Sequence, residues 1–150
     1  MKAVVQRVRS ATLDVNSERV ASIETGLVIL AGIAAEDGAR DLKWMAEKVV
    51  NLRIFEDDAG KMNRSLLDVG GDILLVPNFT VAGDCRTGRR PSFTTAKHPD
   101  DAGPMFDQFV ELVRGYEGIT IERGVFGADM LVTIGNDGPI TLIVESPQRT

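Results

Sequence analysis

Two short segments hold residue types that could do chemistry. The first, Leu75-Val76-Pro77-Asn78-Phe79-Thr80-Val81, runs an apolar strand into a proline and then presents an amide, an aromatic ring and a hydroxyl. Proline has no N–H to give a ladder, so such a strand lies at an edge, is bulged or ends there. A strand end can expose backbone N–H groups, and those can stabilise an oxyanion. The plainer reading has Pro77 simply ending the strand while Phe79 packs in the core. The second segment, Gly135-Asn136-Asp137-Gly138-Pro139-Ile140-Thr141, lies between two apolar strands and reads as a turn. Gly138 has no side chain to block a ligand from the backbone. Pro139 permits a cis peptide bond at modest cost, which would leave neighbouring carbonyl oxygens facing one way as acceptors for an ammonium group. Spacing alone favours an ordinary hairpin turn.

Common catalytic kits are poorly supplied. One histidine, His98, and one cysteine, Cys85, do not make a zinc site of the usual His/Cys types. A Ser-His-Asp triad would need His98, which precedes Pro99 at an expected helix start and reads better as a cap or surface residue. Gly83 to Arg90 has the outline of a phosphate loop without its Lys-Ser/Thr, so no nucleotide triphosphate is expected. Neither a metal nor a cofactor is called for. The net charge of −5 argues against broad nucleic-acid binding, yet phosphate contact depends on local charge. Cys85-Arg86-Thr87-Gly88-Arg89-Arg90, with Lys97 beyond it, is the one basic island. It suits either a grip on a short piece of RNA or a solvated loop.

The elements that must position these segments can be read from hydrophobic period. Lys2 to Val8 alternates as a strand, and Leu13 to Val15 and Arg19 to Ile23 flank the polar turn Asn16-Ser17-Glu18. Gly26 to Ile33 and Asp72 to Val76 are continuous apolar runs, as in strands buried on both faces. Leu42, Met45, Ala46, Val49 and Val50 form one stripe of a helix within Asp41 to Arg53, which could cross between those strands. Asp57 to Gly60 is a turn. A second helix spans Asp100 to Gly115, with its aspartates near the start and Gly115 or Gly118 at its end. Ile119 to Glu122, Met130 to Ile134 and Ile140 to Glu145 complete the strands. The expectation is one mixed α/β domain over residues 1–150, with a curved, barrel-like sheet and two main helices. The charged, alternating amino end does not resemble a signal peptide, and no apolar run approaches the roughly 20 residues of a membrane span. A cytoplasmic protein is expected, which the single cysteine also fits.

Several motifs in series resemble the D-aminoacyl-tRNA deacylase family, from Met1 to about Glu145. They are Gln6-Arg7-Val8, Arg53-Ile54-Phe55, Gly60-Lys61-Met62-Asn63, Arg90-Pro91-Ser92-Phe93, Phe126-Gly127-Ala128-Asp129-Met130 and Asn136 to Thr141. The resemblance implies a homodimer with shared active sites that acts on the acceptor end of aminoacyl-tRNA, with no membrane or DNA partner. It gives Gly138 and Pro139 the role of a Gly-cisPro pair that enters the partner's pocket, takes the amino group of a D-residue and excludes an L-side chain. Glycine is expected to pass as well, including glycine mischarged on tRNA(Ala). Arg7 matches the arginine that holds this pair, with Asn136, Thr141 and Met130 in support. Asn78, Phe79 and Thr80 match the catalytic segment, where the 2′-hydroxyl of the terminal adenosine assists attack and backbone N–H groups hold the oxyanion. Arg86, Arg89 and Arg90 are candidates for tRNA phosphate.

The family's usual Ser-Gln is replaced by Pro77-Asn78, which removes a hydroxyl and a backbone donor. Three alternatives follow. One is a relaxed deacylase acting on L-alanyl-tRNA, as in a related branch that carries Pro-Gln here and holds its Gly-Pro in trans. Another is a non-catalytic module that binds aminoacyl-tRNA. The last is a general esterase or peptidase built on Thr80 or Thr141, and for Thr80 the residues suggest no base.

Overall fold

A computed structural model describes residues 1–148. Its spine is β1 (Lys2–Val15), a single strand where the sequence suggested two. One edge of β1 pairs antiparallel with β8 (Met130–Glu145) from Lys2 to Val15. The other edge pairs first with β3 (Gly26–Gly32) and then with β2 (Glu18–Ile23). Asn16 and Ser17, both at positive φ (52° and 64°), make the tight two-residue turn between β1 and β2. β3 continues the sheet in parallel to β6 (Asp72–Pro77), and β6 to β7 (Thr120–Arg123).

The pleat explains why β3 and β6 read as unbroken apolar runs. Leu27, Ile29, Ala31, Ile73 and Leu75 point into one core, under the helices. Val28, Leu74 and Val76 point into a second core, where the sheet curls upon itself around Val8, Ala11, Leu13, Ala21 and Ile23. A sheet with both faces covered has no polar alternation to show.

Helix α1 (Ala39–Asn51) buries the expected stripe and lies against α3 (Pro99–Arg114), which buries Phe106, Phe109, Val110 and Val113. Asp41 starts α1 by accepting the Gly38 N–H at 2.9 Å. At α3 the cap is His98, whose Nδ1 accepts the Asp100 N–H at 3.2 Å; Asp100 and Asp101 occupy the first turn. As expected, α1 lies in the crossover between parallel strands β3 and β6. That crossover also contains a small hairpin, β4 (Phe55–Glu56) and β5 (Met62–Arg64), and the short α2 (Leu66–Val69), none of which the hydrophobic pattern revealed. Among the described residues no helix is long and apolar enough to cross a membrane.

Candidate active site

β6 does end at Pro77, in register with Ala31 of β3. The chain then turns: the Asn78 N–H reaches the Ala31 carbonyl at 2.8 Å, and Phe79–Ala82 form a 3-10 turn. Asn78 caps that turn, its Oδ1 accepting both the Thr80 N–H at 3.3 Å and the Thr80 hydroxyl. Gly32 makes the close approach possible. A β-carbon there would lie 3.0 Å from the Val81 Cβ and 3.2 Å from the Asn78 carbonyl oxygen.

Phe79 is not in the core. It is 58% exposed and meets Phe93 edge-on, with ring centres 5.2 Å apart and planes at 75°. The pair stands at a cleft of about 990 Å³, lined also by Asn78, Thr80, His98, Phe126 and Met130. A mostly apolar lining with a few polar groups suits an aromatic or sugar-bearing ligand. The cleft holds no activated nucleophile in the usual sense. Thr80's hydroxyl donates to an amide oxygen, which is no base, and Nδ1 of His98 is occupied by the helix cap. What the turn does offer is backbone: the N–H of Phe79, its first residue, has no intrahelical acceptor.

The Gly135–Thr141 segment differs from the hairpin expected from spacing. A hairpin reverses the chain, but here both flanks run antiparallel to the same strand, as one β8. Gln6 pairs with Thr141 and Val8 with Asn136, so residues 137–140 are extruded opposite Arg7 alone. Asn136 closes the neck of this excursion. Its Nδ2 donates to the carbonyls of Arg7 and Ile140, both at 2.9 Å, and its Oδ1 accepts the Thr141 hydroxyl at 3.0 Å. Gly138 sits at φ +122°, where L-residues are strained, and the Gly138-Pro139 bond is cis. Both residues are exposed and line no part of their own chain's cleft. Beneath them the side chain of Arg7, 8% exposed, donates from Nη1 to the Ile54 carbonyl at 2.8 Å. Its Nε lies 3.3 Å from Asp137 Oδ2, an ion pair without hydrogen-bond geometry.

Residues 4–145 match the family model described as D-Tyr-tRNA(Tyr) deacylase. The chain belongs to that deacylase family. A relative from Chlorobaculum parvum, named D-aminoacyl-tRNA deacylase, is 52% identical over 149 residues, covering 99% of this chain and 100% of its own. One of the same name from Fervidobacterium nodosum is 51% identical over 146 residues, 97% of each chain. Among solved structures, one described as a c-Myc DNA unwinding element binding protein superposes with a TM-score of 0.94 at 41% identity, over 99% of this chain and 100% of that one. A probable eukaryotic D-amino acid tRNA deacylase shares the fold at a TM-score of 0.85 and 19% identity, over 97% and 98%.

Within this deacylase the expected site residues fall into two groups. Asn78, Phe79, Thr80 and Met130 meet at the cleft, whereas Arg7, Asn136, Gly138, Pro139 and Thr141 gather at the excursion. The basic island divides as well. Arg86 is held by Asp84 through Nε at 2.9 Å and Nη2 at 2.7 Å, and these bonds keep the Asp84 carboxyl at about 2, well below its usual range. Arg89 and Arg90 are exposed. Sequence reasoning passed over Gly32, Phe93 and Asp137. Phe93 stood within a quoted motif and Asp137 beside Gly138, but their contacts are made across long stretches of chain.

Proposed function

We propose that this protein hydrolyses the ester bond of D-aminoacyl-tRNA, and of glycyl-tRNA mischarged on tRNA(Ala), releasing free tRNA and the amino acid. Family membership and the names of its relatives support the reaction class. One observation carries the stereochemical reading: the excursion at Gly138 and Pro139 presents bare backbone, is tied at its neck, and stands outside its own cleft. In a homodimer each excursion enters the partner's cleft. Backbone carbonyls there accept the substrate ammonium, and an L-side chain collides with the same backbone. The long outer edge of β8 supports such pairing, since among the described residues no strand but β1 pairs with it, and the strand's outer face exposes Leu131 (65%) and Ile143 (70%).

The terminal adenosine then lies in the cleft at Phe79 and Phe93. Its 2′-hydroxyl assists attack on the ester carbonyl, and the N–H of Phe79 and its neighbours stabilise the developing oxyanion. Thr80 positions the turn and attacks nothing. Arg89 and Arg90 take tRNA phosphates in the cytoplasm, where tRNA is charged. A net charge of −5 disfavours long duplex DNA as the partner.

The test is deacylation of matched D-tyrosyl-, L-tyrosyl- and glycyl-tRNA by the purified protein. Release of D-tyrosine and glycine with the L-ester spared is expected. Equal loss of both enantiomers, with turnover of L-alanyl-tRNA, selects a relaxed deacylase. Loss no faster than spontaneous, alongside tRNA binding, selects a non-catalytic module.

A further inference from the structure

We infer that Asp137 is a positioning residue for stereochemical discrimination, acting through Arg7 to set the tilt of the Gly138-Pro139 wall; the inference rests on the reading of that wall given above. Asn136 fixes the neck of the excursion by bonds to the carbonyls of Arg7 and Ile140. Those bonds close its base and involve neither Gly138 nor Pro139. Asp137 is the first residue of the excursion proper and directly precedes Gly138. Its Oδ2 lies 3.3 Å from Nε of Arg7, whose side chain is almost wholly buried. A buried guanidinium without a counter-charge is costly. Among the described residues, Asp137 is the one carboxylate paired with it.

Arg7 is itself fastened elsewhere, by Nη1 to the carbonyl of Ile54, in the stretch between α1 and β4. The chain of contacts therefore runs from the helix-side core through a rigid planar cation to the residue next to Gly138. The other oxygen of Asp137 accepts from Arg9 Nε at 3.1 Å. Arg9 is 84% exposed, and an ion pair to so exposed a side chain contributes little. The buried partner is the one that matters.

A wall that separates a hydrogen atom from a side chain by contact must be placed to a fraction of an ångström. Asp137→Asn keeps the size of the side chain and removes its charge, so Arg7 is left uncompensated and the wall loses its fixed tilt. The readout is the ratio of L-tyrosyl-tRNA to glycyl-tRNA hydrolysis, because glycine has no side chain for the wall to meet. That ratio is expected to rise by roughly tenfold or more in Asp137→Asn, in keeping with the sensitivity of such sites to small displacements. A gain of L-activity relative to glycine cannot come from partial unfolding. Arg9→Ala is expected to leave the ratio unchanged.

An unchanged ratio in Asp137→Asn, whatever happens to its melting temperature, overturns the inference. A raised ratio in Arg9→Ala equal to that in Asp137→Asn does so too. Should the asparagine variant fail to fold, Asp137→Glu keeps the charge but shifts it by one methylene. A smaller rise in the same ratio is then expected, and no rise overturns the proposal. If the parent protein itself fails to spare the L-ester, the wall reading falls first, and that result is visible before any variant is made.

Discussion

At Gly138 an added methyl group would lie 2.8 Å from Cγ1 of Ile140, at a φ of +122° that L-residues rarely adopt. Gly138→Ala is therefore expected to reduce D-aminoacyl-tRNA turnover by about a hundredfold, through displacement of the wall. Thr80→Ala removes only a hydroxyl that donates to Asn78 and is expected to keep turnover within a few-fold; single-turnover assays compare the two directly. The reverse order would return Thr80 to the role of nucleophile. Asn136 can be examined by stability alone. Asn136→Ala deletes two bonds donated to backbone and one accepted from Thr141, which together are expected to cost about 2–3 kcal/mol in urea denaturation. An amide after proline and a glycine before proline are locally odd, so Asn78 and Gly138 stand out by residue type, whereas Arg7, with Lys2 and Arg9 in the same strand, is singled out only by the family resemblance. Asp137 was silent, since its partner Arg7 lies across the ladder and an aspartate in a turn is ordinary.

At the scale of elements, burial on both faces made β3 and β6 legible, and a helical period made α1 and α3 legible. The hairpin β4–β5 and the short α2 are too brief to show a period, and are held by local bonds such as Ser65 Oγ accepting the Asp68 N–H at 3.1 Å. β8 was misread because an Asn-Asp-Gly-Pro run is turn chemistry, while its pairing on both sides with β1 is a tertiary fact. Packing between elements also carries the 3-10 turn proposed to hold the oxyanion. Gly32→Ala is expected to push the 3-10 turn off β3, lowering the single-turnover rate by about tenfold. Its stability cost should be about 1–3 kcal/mol, as for a modest overpacking. A parent-like rate would mean that the turn's exact seat is irrelevant to the reaction. The basic loop makes a second case. The bonds from Arg86 depress the Asp84 pKa, so this pairing is present above the usual carboxylate range and is lost only as the pH falls towards about 2. At working pH Arg86 stays occupied. Asp84→Asn is expected to free it and steepen the dependence of tRNA binding on salt by up to about 0.9 in log–log slope.

The whole molecule poses the problem that its two candidate groups do not meet within one chain. The cleft with Phe79 and Thr80 takes no backbone acceptor for the substrate's ammonium from the excursion, because Gly138 and Pro139 line no part of it. On the proposed reading a second copy resolves this, and the exposed side of β8, which carries Leu131 and Ile143, is the face on which that copy would sit. Thr133 and Thr141 lie there with Leu131 and Ile143, and among the described residues no strand pairs with the backbone edge beyond them. A charge placed on that face is costly once buried but harmless in a monomer, where the residue is already in water. Ile143→Glu is therefore expected to yield a folded monomer by analytical ultracentrifugation, with D-aminoacyl-tRNA hydrolysis close to the spontaneous rate. Mixing it with an otherwise intact variant that carries Gly138→Ala should not restore activity, because neither chain can then offer a working wall in a stable pair. A fully active monomer would place the ammonium-binding group inside the cleft and leave the excursion without a role in the reaction.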